Sequence, residues 1–408
     1  MALQPNPSSR LTYKAHSTGV ITANTQPTLS SDPAAGSAQE LRRVSSTLAL
    51  TKKTYESEEQ RTSRQVGDMR HGPKMVQGDI EGEASPGTYL DLIEAALRCT
   101  KVATFDKTEV DVTSLAAANS ASTLTLGGST WAAQGYRVGD IVRPSNVAAA
   151  NCINFLIVAL SGAVATVHPA PTDMSADTSA TITRLGNKMT IPASSHVDRK
   201  FLFEHYHSTI DIAELFSECR VNKFGLSVPA SGMCKMMFGL TGRDKTVVTS
   251  GSAPFFTSPT GVTGSGIAAG VSGILSVAGT KVGIITGWDM SLEMGVDAPE
   301  VDGQDIVADI ILGRSVVKGT LNVLLQDETF LNYFINETEF EVAAMLKTTS
   351  AGSSPCFGVF MPRVKVQASP VPLQGEGALR IAMPFQALEK AAATGYDATT
   401  LSITDNTA

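Results

Sequence analysis

Val76–Leu90 reads VQGDIEGEASPGTYL, and Val317–Leu331 reads VKGTLNVLLQDETFL. At an offset of 241 residues the two stretches share Val76 with Val317, Gly78 with Gly319, Thr88 with Thr329 and Leu90 with Leu331. Conservative matches fill the spaces: Ile80 with Leu321, Tyr89 with Phe330, Asp91 with Asn332, Ile93 with Phe334. Each stretch reads as a strand running into a helix. Ser85-Pro86-Gly87-Thr88 is a helix-start signal, with Thr88 as N-cap and Asp91 in the capping-box position. Leu90, Ile93, Ala96 and Leu97 then fall on one helical face.

The order of elements around the two stretches also repeats. The first has the strand SSTLALTK, a loop over about 54–73, the strand KMVQGDIEG, a helix, and later the strands VNKFGLSVPA and MCKMMFGLTG. A further short helix is expected at TIDIAELFSEC, residues 209–219. The second has the strand GIITGWDMSLEM, a loop at 295–306, the strand region IVADIILGRSVVKGTLNVLL, the helix ETFLNYFI and three more strands. Phe238 in MMFGL matches Phe385 in MPFQAL at an offset of 147, and a single insertion into the first copy accounts for the smaller value. Residues 101–188, rich in Ala, Ser, Thr and short β runs, are that insertion. The expected fold is mainly β: a tandemly duplicated β-sandwich or half-barrel, each copy with one flanking helix, plus an inserted small β domain. The expected boundaries are an extended arm (1–42), a discontinuous first domain (43–100 and 189–245), the insertion (101–188), a linker (246–280), a second domain (281–392) and a C-terminal tail (393–408).

Composition narrows the function. Charged residues are 17% and the net charge is −7, which suits turn-rich β-structure and opposes a protein that grips nucleic acid phosphates. Five cysteines without a C-x-x-C pair suit reduced, buried thiols. No apolar run is long enough to span a bilayer, so no membrane partner is expected.

A search for catalytic groups finds little. His205 and His207 in FEHYH point to one side of a strand and are the best metal candidates, but no third ligand is recognisable. The acidic loop lacks calcium-loop spacing. GSGIAAG lacks the spacing of a dinucleotide fingerprint, and no G-x-S-x-G elbow occurs. No enzyme, cofactor or metal is expected. The charged loops stand out instead: Glu56, Glu58, Glu59, Arg61, Arg64, Asp68 and Arg70 in the first, Asp297, Glu300, Asp302 and Asp305 in the second. Long loops at equivalent places suggest contact between subunits.

Thr47-Leu48-Ala49-Leu50, Tyr55-Glu56-Ser57-Glu58, Gly67-Asp68-Met69-Arg70, Val76-Gln77-Gly78, Ser85-Pro86-Gly87-Thr88-Tyr89 and, in the insertion, Gly135-Tyr136-Arg137-Val138-Gly139-Asp140 together resemble the tail tube (major tail) proteins of long-tailed, non-contractile bacteriophages. The resemblance covers most of 43–245 and, more faintly, 281–392. It implies a structural virion protein whose inner sheets join into rings, with the rings stacking through the two loops into a conduit for DNA. It further implies self-assembly, contacts with tape-measure, terminator and baseplate proteins, and DNA passing without specific binding. Two domains per chain imply a trimeric ring with pseudo-sixfold symmetry, with a hexamer as runner-up. The insertion is expected to decorate the outside. The rival readings are another virion β protein (baseplate component, decoration protein or carbohydrate-binding adhesin) and a metal-dependent enzyme built on His205 and His207.

Overall fold

The computed structural model describes residues 9–16, 33–249, 251–262, 264–371 and 378–407. Its described residues are mainly antiparallel β-strand, with two α-helices. The first half contains β1 (Ser9–Ala15), β2 (Ala49–Glu56), β3 (Met69–Glu83), α1 (Leu90–Ala96), β4 (Phe201–His207), β5 (Ile212–Pro229), β6 (Lys235–Gly242) and β7 (Asp244–Thr249). The second contains β8 (Ile274–Val277), β9 (Ile285–Asp297), β10 (Ile311–Leu324), α2 (Thr329–Ile335), β11 (Phe340–Lys347), β12 (Cys356–Val366), β13 (Arg380–Ala387) and β14 (Ser402–Asp405).

Pairing in the two halves follows one scheme. β2 pairs with β3, β3 with β6, and β6 with the C-terminal part of β5. In the same way β9 pairs with β10, β10 with β13, and β13 with the C-terminal part of β12. Both long strands then leave this sheet: the N-terminal part of β5 pairs with β4 and β7, and that of β12 with β11 and β14. β1 lies along the outer edge of β4, and β8 along that of β11. Even the irregularities coincide. The register shifts between Lys52 and Thr54 in one hairpin and between Met294 and Val296 in the other. It shifts again between Phe201 and Phe203 on β4, and between Phe340 and Val342 on β11. A bulge re-aims a strand and breaks its ladder locally, so matching bulges give both halves the same bends.

The glycine of the shared skeleton has a steric cause. A Cβ on Gly78 would lie 2.6 Å from the Thr47 carbonyl oxygen, and one on Gly319 only 2.1 Å from that of Asp289. Leu50 faces Val76 and Leu292 faces Val317, so Thr47 and Asp289 hold the same place on their strands. The neighbouring backbone crosses too close for any side chain. Val76, Val317, Tyr89 and Phe330 are buried in one shared core, Tyr89 against Phe238 with ring centroids 5.5 Å apart.

Several expectations are corrected. Residues 209–219 form no helix; they start β5, whose buried residues run unbroken from Leu215 to Val221 because both faces of this bend are covered. Burial of seven consecutive residues, Ser217, Glu218 and Arg220 among them, removes the two-residue alternation by which a strand is recognised. Thr88 is not the cap of α1: the N-cap position is Tyr89, without a side-chain capping bond, and its hydroxyl donates to the Arg42 carbonyl at 2.9 Å. Ile80 faces Phe238 and Leu321 faces Met383, so the later offset is 145 and not 147. The two values differ by one strand period, which leaves the inward and outward alternation unchanged. The expected arm, linker and tail carry β1, β8 and β14 respectively, and the rest of the arm, 1–8 and 17–32, lies outside the described residues.

Between α1 and β4, eight short strands from Phe105 to Arg184 form a sheet and core of their own around Trp131, Tyr136 and Phe155. This insertion does not stand apart. Its Val138, Ile141, Leu156 and Val158 pack with Ile274, Met345 and Phe360 of the second half. The amide of Asn154 donates to the Ser354 carbonyl at 2.9 Å.

Gly319→Ala and Gly78→Ala should each lower stability by ~1–3 kcal/mol, since the added methyl meets backbone that cannot yield. Gly283→Ala, where an added Cβ meets nothing within 4 Å, is the neutral control. Thermal denaturation of the three variants checks this; equal melting temperatures would refute the steric account.

Candidate assembly surface

β5 does more than close the first half. Lys223–Pro229 pairs antiparallel with Gly287–Glu293 of β9, so the two four-stranded groups become one sheet of eight strands, in the order β2, β3, β6, β5, β9, β10, β13, β12. Its faces differ in chemistry. Val76, Ile80, Phe238, Leu226, Leu292, Leu321 and Met383 turn one face into the core. Alternate positions turn the other outward: Gln77, Asp79 and Glu81 on β3, Lys235 on β6, Lys223 on β5, Asp289 and Glu293 on β9, Lys318 on β10, Gln386 on β13. Two of the three lysines named on this polar face have acidic neighbours. Lys235 meets Glu81 at 2.8 Å and Lys223 meets Glu293 at 2.9 Å, each across adjacent strands.

The second loop, 298–310, lies against the first half. β6 ends at Gly242, opposite Val76, and beyond that point Ile306 bridges in parallel to Lys74. The Lys74 amide donates to the Asp305 carbonyl at 2.9 Å, and its ammonium meets Asp244 at 3.1 Å and Asp305 at 3.2 Å. Glu300 pairs with Lys53. Arg243 donates through Nε to the Val307 carbonyl at 3.0 Å and through Nη1 to Glu218 at 2.9 Å, with both side chains buried. Asp309 meets Arg220 at 2.8 Å. Burial works to raise the Asp309 carboxyl, but the Arg220 hydrogen bond, the Ile310 amide and the charges of Arg220 and Lys200 hold it below the usual range. Val307 and Ile310 are 3% and 2% exposed.

The first loop, 57–68, has no such seat. Glu56, Glu58, Glu59, Arg61, Arg64, Asp68 and Arg70 are all exposed. Arg61 pairs with Glu59 at 3.0 Å and Arg70 with Asp68 at 2.9 Å, within the loop and its base. The structure thus places Glu300 and Asp305 in contacts inside the chain, while Asp297 and Asp302 face solvent with the first-loop residues. Sequence reasoning missed Lys53, Lys74, Arg220 and Arg243, because the groups they meet lie on other elements of the fold, at no fixed spacing in the sequence.

His205 and His207 do share one side of β4, but each ring faces a serine: His205 Nε2 and the Ser46 hydroxyl are 2.9 Å apart, as are His207 Nδ1 and the Ser9 hydroxyl. No group of three or more His, Cys, Asp or Glu suited to a metal occurs among the described residues. Burial pushes the His205 imidazole down to about 4; Glu214 opposes the shift, while Arg43, His207 and Lys245 add to it. The thiols of Cys99, Cys219, Cys234 and Cys356 are buried, and that burial pushes each of them up.

A family model described as "Phage tail tube protein" matches residues 8–387, which takes in both halves and the insertion. The chain belongs to that family. No curated protein matches it. For a tail tube protein, the eight-stranded sheet with one buried and one polar face is the surface on which function is to be sought. Among the described residues, no helix is long and apolar enough to cross a membrane.

Two outcomes are expected. Arg243→Met leaves Glu218 buried without its partner and should destabilise by ~3–5 kcal/mol, with Arg243→Met/Glu218→Leu recovering most of the loss in urea titrations. The unfolded chain binds a proton at His205 near pH 6.5, whereas the folded chain does so only near 4. Stability should therefore decline as pH falls through that window, by up to about 3 kcal/mol from this group. His205→Gln should flatten the slope, and an unchanged slope would sink the assignment.

Proposed function

We propose that this chain polymerises into stacked rings that form the phage tail tube, a conduit through which DNA passes into the host. The carrying observation is the eight-stranded sheet. It already joins two halves of like pairing edge to edge, and it ends in β2, whose outer edge has no strand beside it among the described residues. An unpaired edge must be capped or used. Repeating the internal junction between chains uses it.

In this reading the two halves are a tandem duplication, and three chains supply six like units around one ring. The polar face lines the bore. Lys223 and Lys235 sit against carboxylates, Lys318 stands exposed, and the chain is acidic overall, so DNA phosphates meet little net positive charge and move past without specific binding. The exposed tips of both loops reach toward the neighbouring ring. Tape-measure, terminator and baseplate proteins are the partners at the bore and ends. The chain is made in the host cytoplasm and ends in the virion tail.

Electron microscopy of the purified chain at high concentration tests this. Hollow tubes with three chains per ring are expected. Six whole chains per ring would overturn the trimer, and a chain that never polymerises would overturn the tube.

A further inference from the structure

The second loop docks on the first half of its own chain, whereas the first loop stands in solvent; the second half, meanwhile, keeps an unfilled seat. β13 pairs with β10 only from Val317 onward, so Ile311–Val316 have β9 as their sole strand partner among the described residues. On the first half, the corresponding stretch of β3 before Val76 is where Asp305–Val307 lie, paired to Lys74. Ser315 holds the place of Lys74. No strand or bridge among the described residues fills the place beside it.

The first loop has the residues to fill that place. Val66 and Met69 correspond, at the 241-residue offset, to Val307 and Ile310. Val66 is 66% and Met69 51% exposed, where their counterparts are almost wholly buried. At the same offset Asp68 corresponds to Asp309, whose partner is Arg220. Arg220 faces Thr241 and Lys365 faces Gln386, at the 145-residue offset that relates β5–β6 to β12–β13. The counterpart of the Asp309–Arg220 pair is therefore Asp68–Lys365. Among the described residues the Lys365 ammonium meets the exposed Glu337, at 2.7 Å. Close by in the fold, α2 leaves Phe334 and Ile335 exposed.

We infer that the 57–68 loop of one copy docks on the second half of a neighbouring copy in the same ring, burying Val66 and Met69 beside Ser315 and bringing Asp68 to Lys365. The inference rests on the ring reading and gives its chain-to-chain seam a residue register. That seam then repeats the one inside the chain: a head-to-tail contact, which closes into a ring when the rotation permits. It gives the first loop's return limb a lateral role within the ring, apart from any contact its tip makes with the next ring.

Charge reversal and cross-linking test it, with assembly read by sedimentation and microscopy. Asp68→Lys and Val66→Asp should each weaken assembly roughly tenfold or more, the scale of a lost interfacial charge pair. Both leave the monomer's melting temperature unchanged, because the loop is exposed. Asp68→Lys/Lys365→Asp should restore assembly. Asp68→Cys/Lys365→Cys should form disulfide-linked oligomers on oxidation. Normal tubes from Asp68→Lys and Val66→Asp, or a cross-link formed within single chains, would overturn this seam while leaving the tube reading intact. A wild-type chain that stays monomeric would overturn both.

Discussion

The junction between Lys223–Pro229 and Gly287–Glu293 is the constraint on which the rest of the structure depends. A four-stranded group with two open edges is a poor end point for a soluble protein, since each edge presents a row of amides and carbonyls to any other strand. Joining two such groups removes one edge from each. At one end β11 pairs along β12, but at the other β2 has no strand on its outer edge among the described residues. The same geometry that makes the chain a single body therefore leaves that edge open to a further strand.

Polar groups specify that junction as much as apolar ones do. Arg243, Glu218, Arg220, Asp309 and Lys74 gather where the second loop crosses the rim of the first half. Such pairs add little net stability once desolvation is counted, but breaking one is costly. Their value is in register. A strand slipped by one residue exchanges its faces, and a slip of β9 against β5 would also carry the Val307 carbonyl away from the buried Arg243 guanidinium.

How much of this was legible in the sequence follows the range of each interaction. The skeleton shared by Val76–Leu90 and Val317–Leu331 exposed the strand-to-helix unit, because Gly78 and Gly319 answer a steric demand that admits one residue type. The mainly β fold and the family resemblance were legible for similar local reasons. The 209–219 segment was not, because burial on both faces erases the alternation that identifies a strand. The offset of 147 slipped by one strand period, which side-chain pattern cannot detect. Among the charged loop residues, no local pattern separates Glu300 and Asp305 from Glu58 and Asp68. Only their partners separate them, and Lys53 and Lys74 lie far back in the chain.

The insertion sets the two halves apart although both keep one pairing scheme. It leaves the first half after α1, at a place where the second half runs straight on to β11, yet it seats on the second half. Val138, Ile141, Leu156 and Val158 cover Ile274, Met345 and Phe360, and a Cβ on Gly139 would lie 2.4 Å from the Phe360 ring. Lys188, which pairs with Asp140 in the insertion and with Asp397 near the C-terminus, ties the same region. An appendage that merely decorated the outside would need no such apolar footing. This one leaves the chain in the first half and packs its apolar side chains on the second, so it adds a tie between the halves besides the β5–β9 pairing.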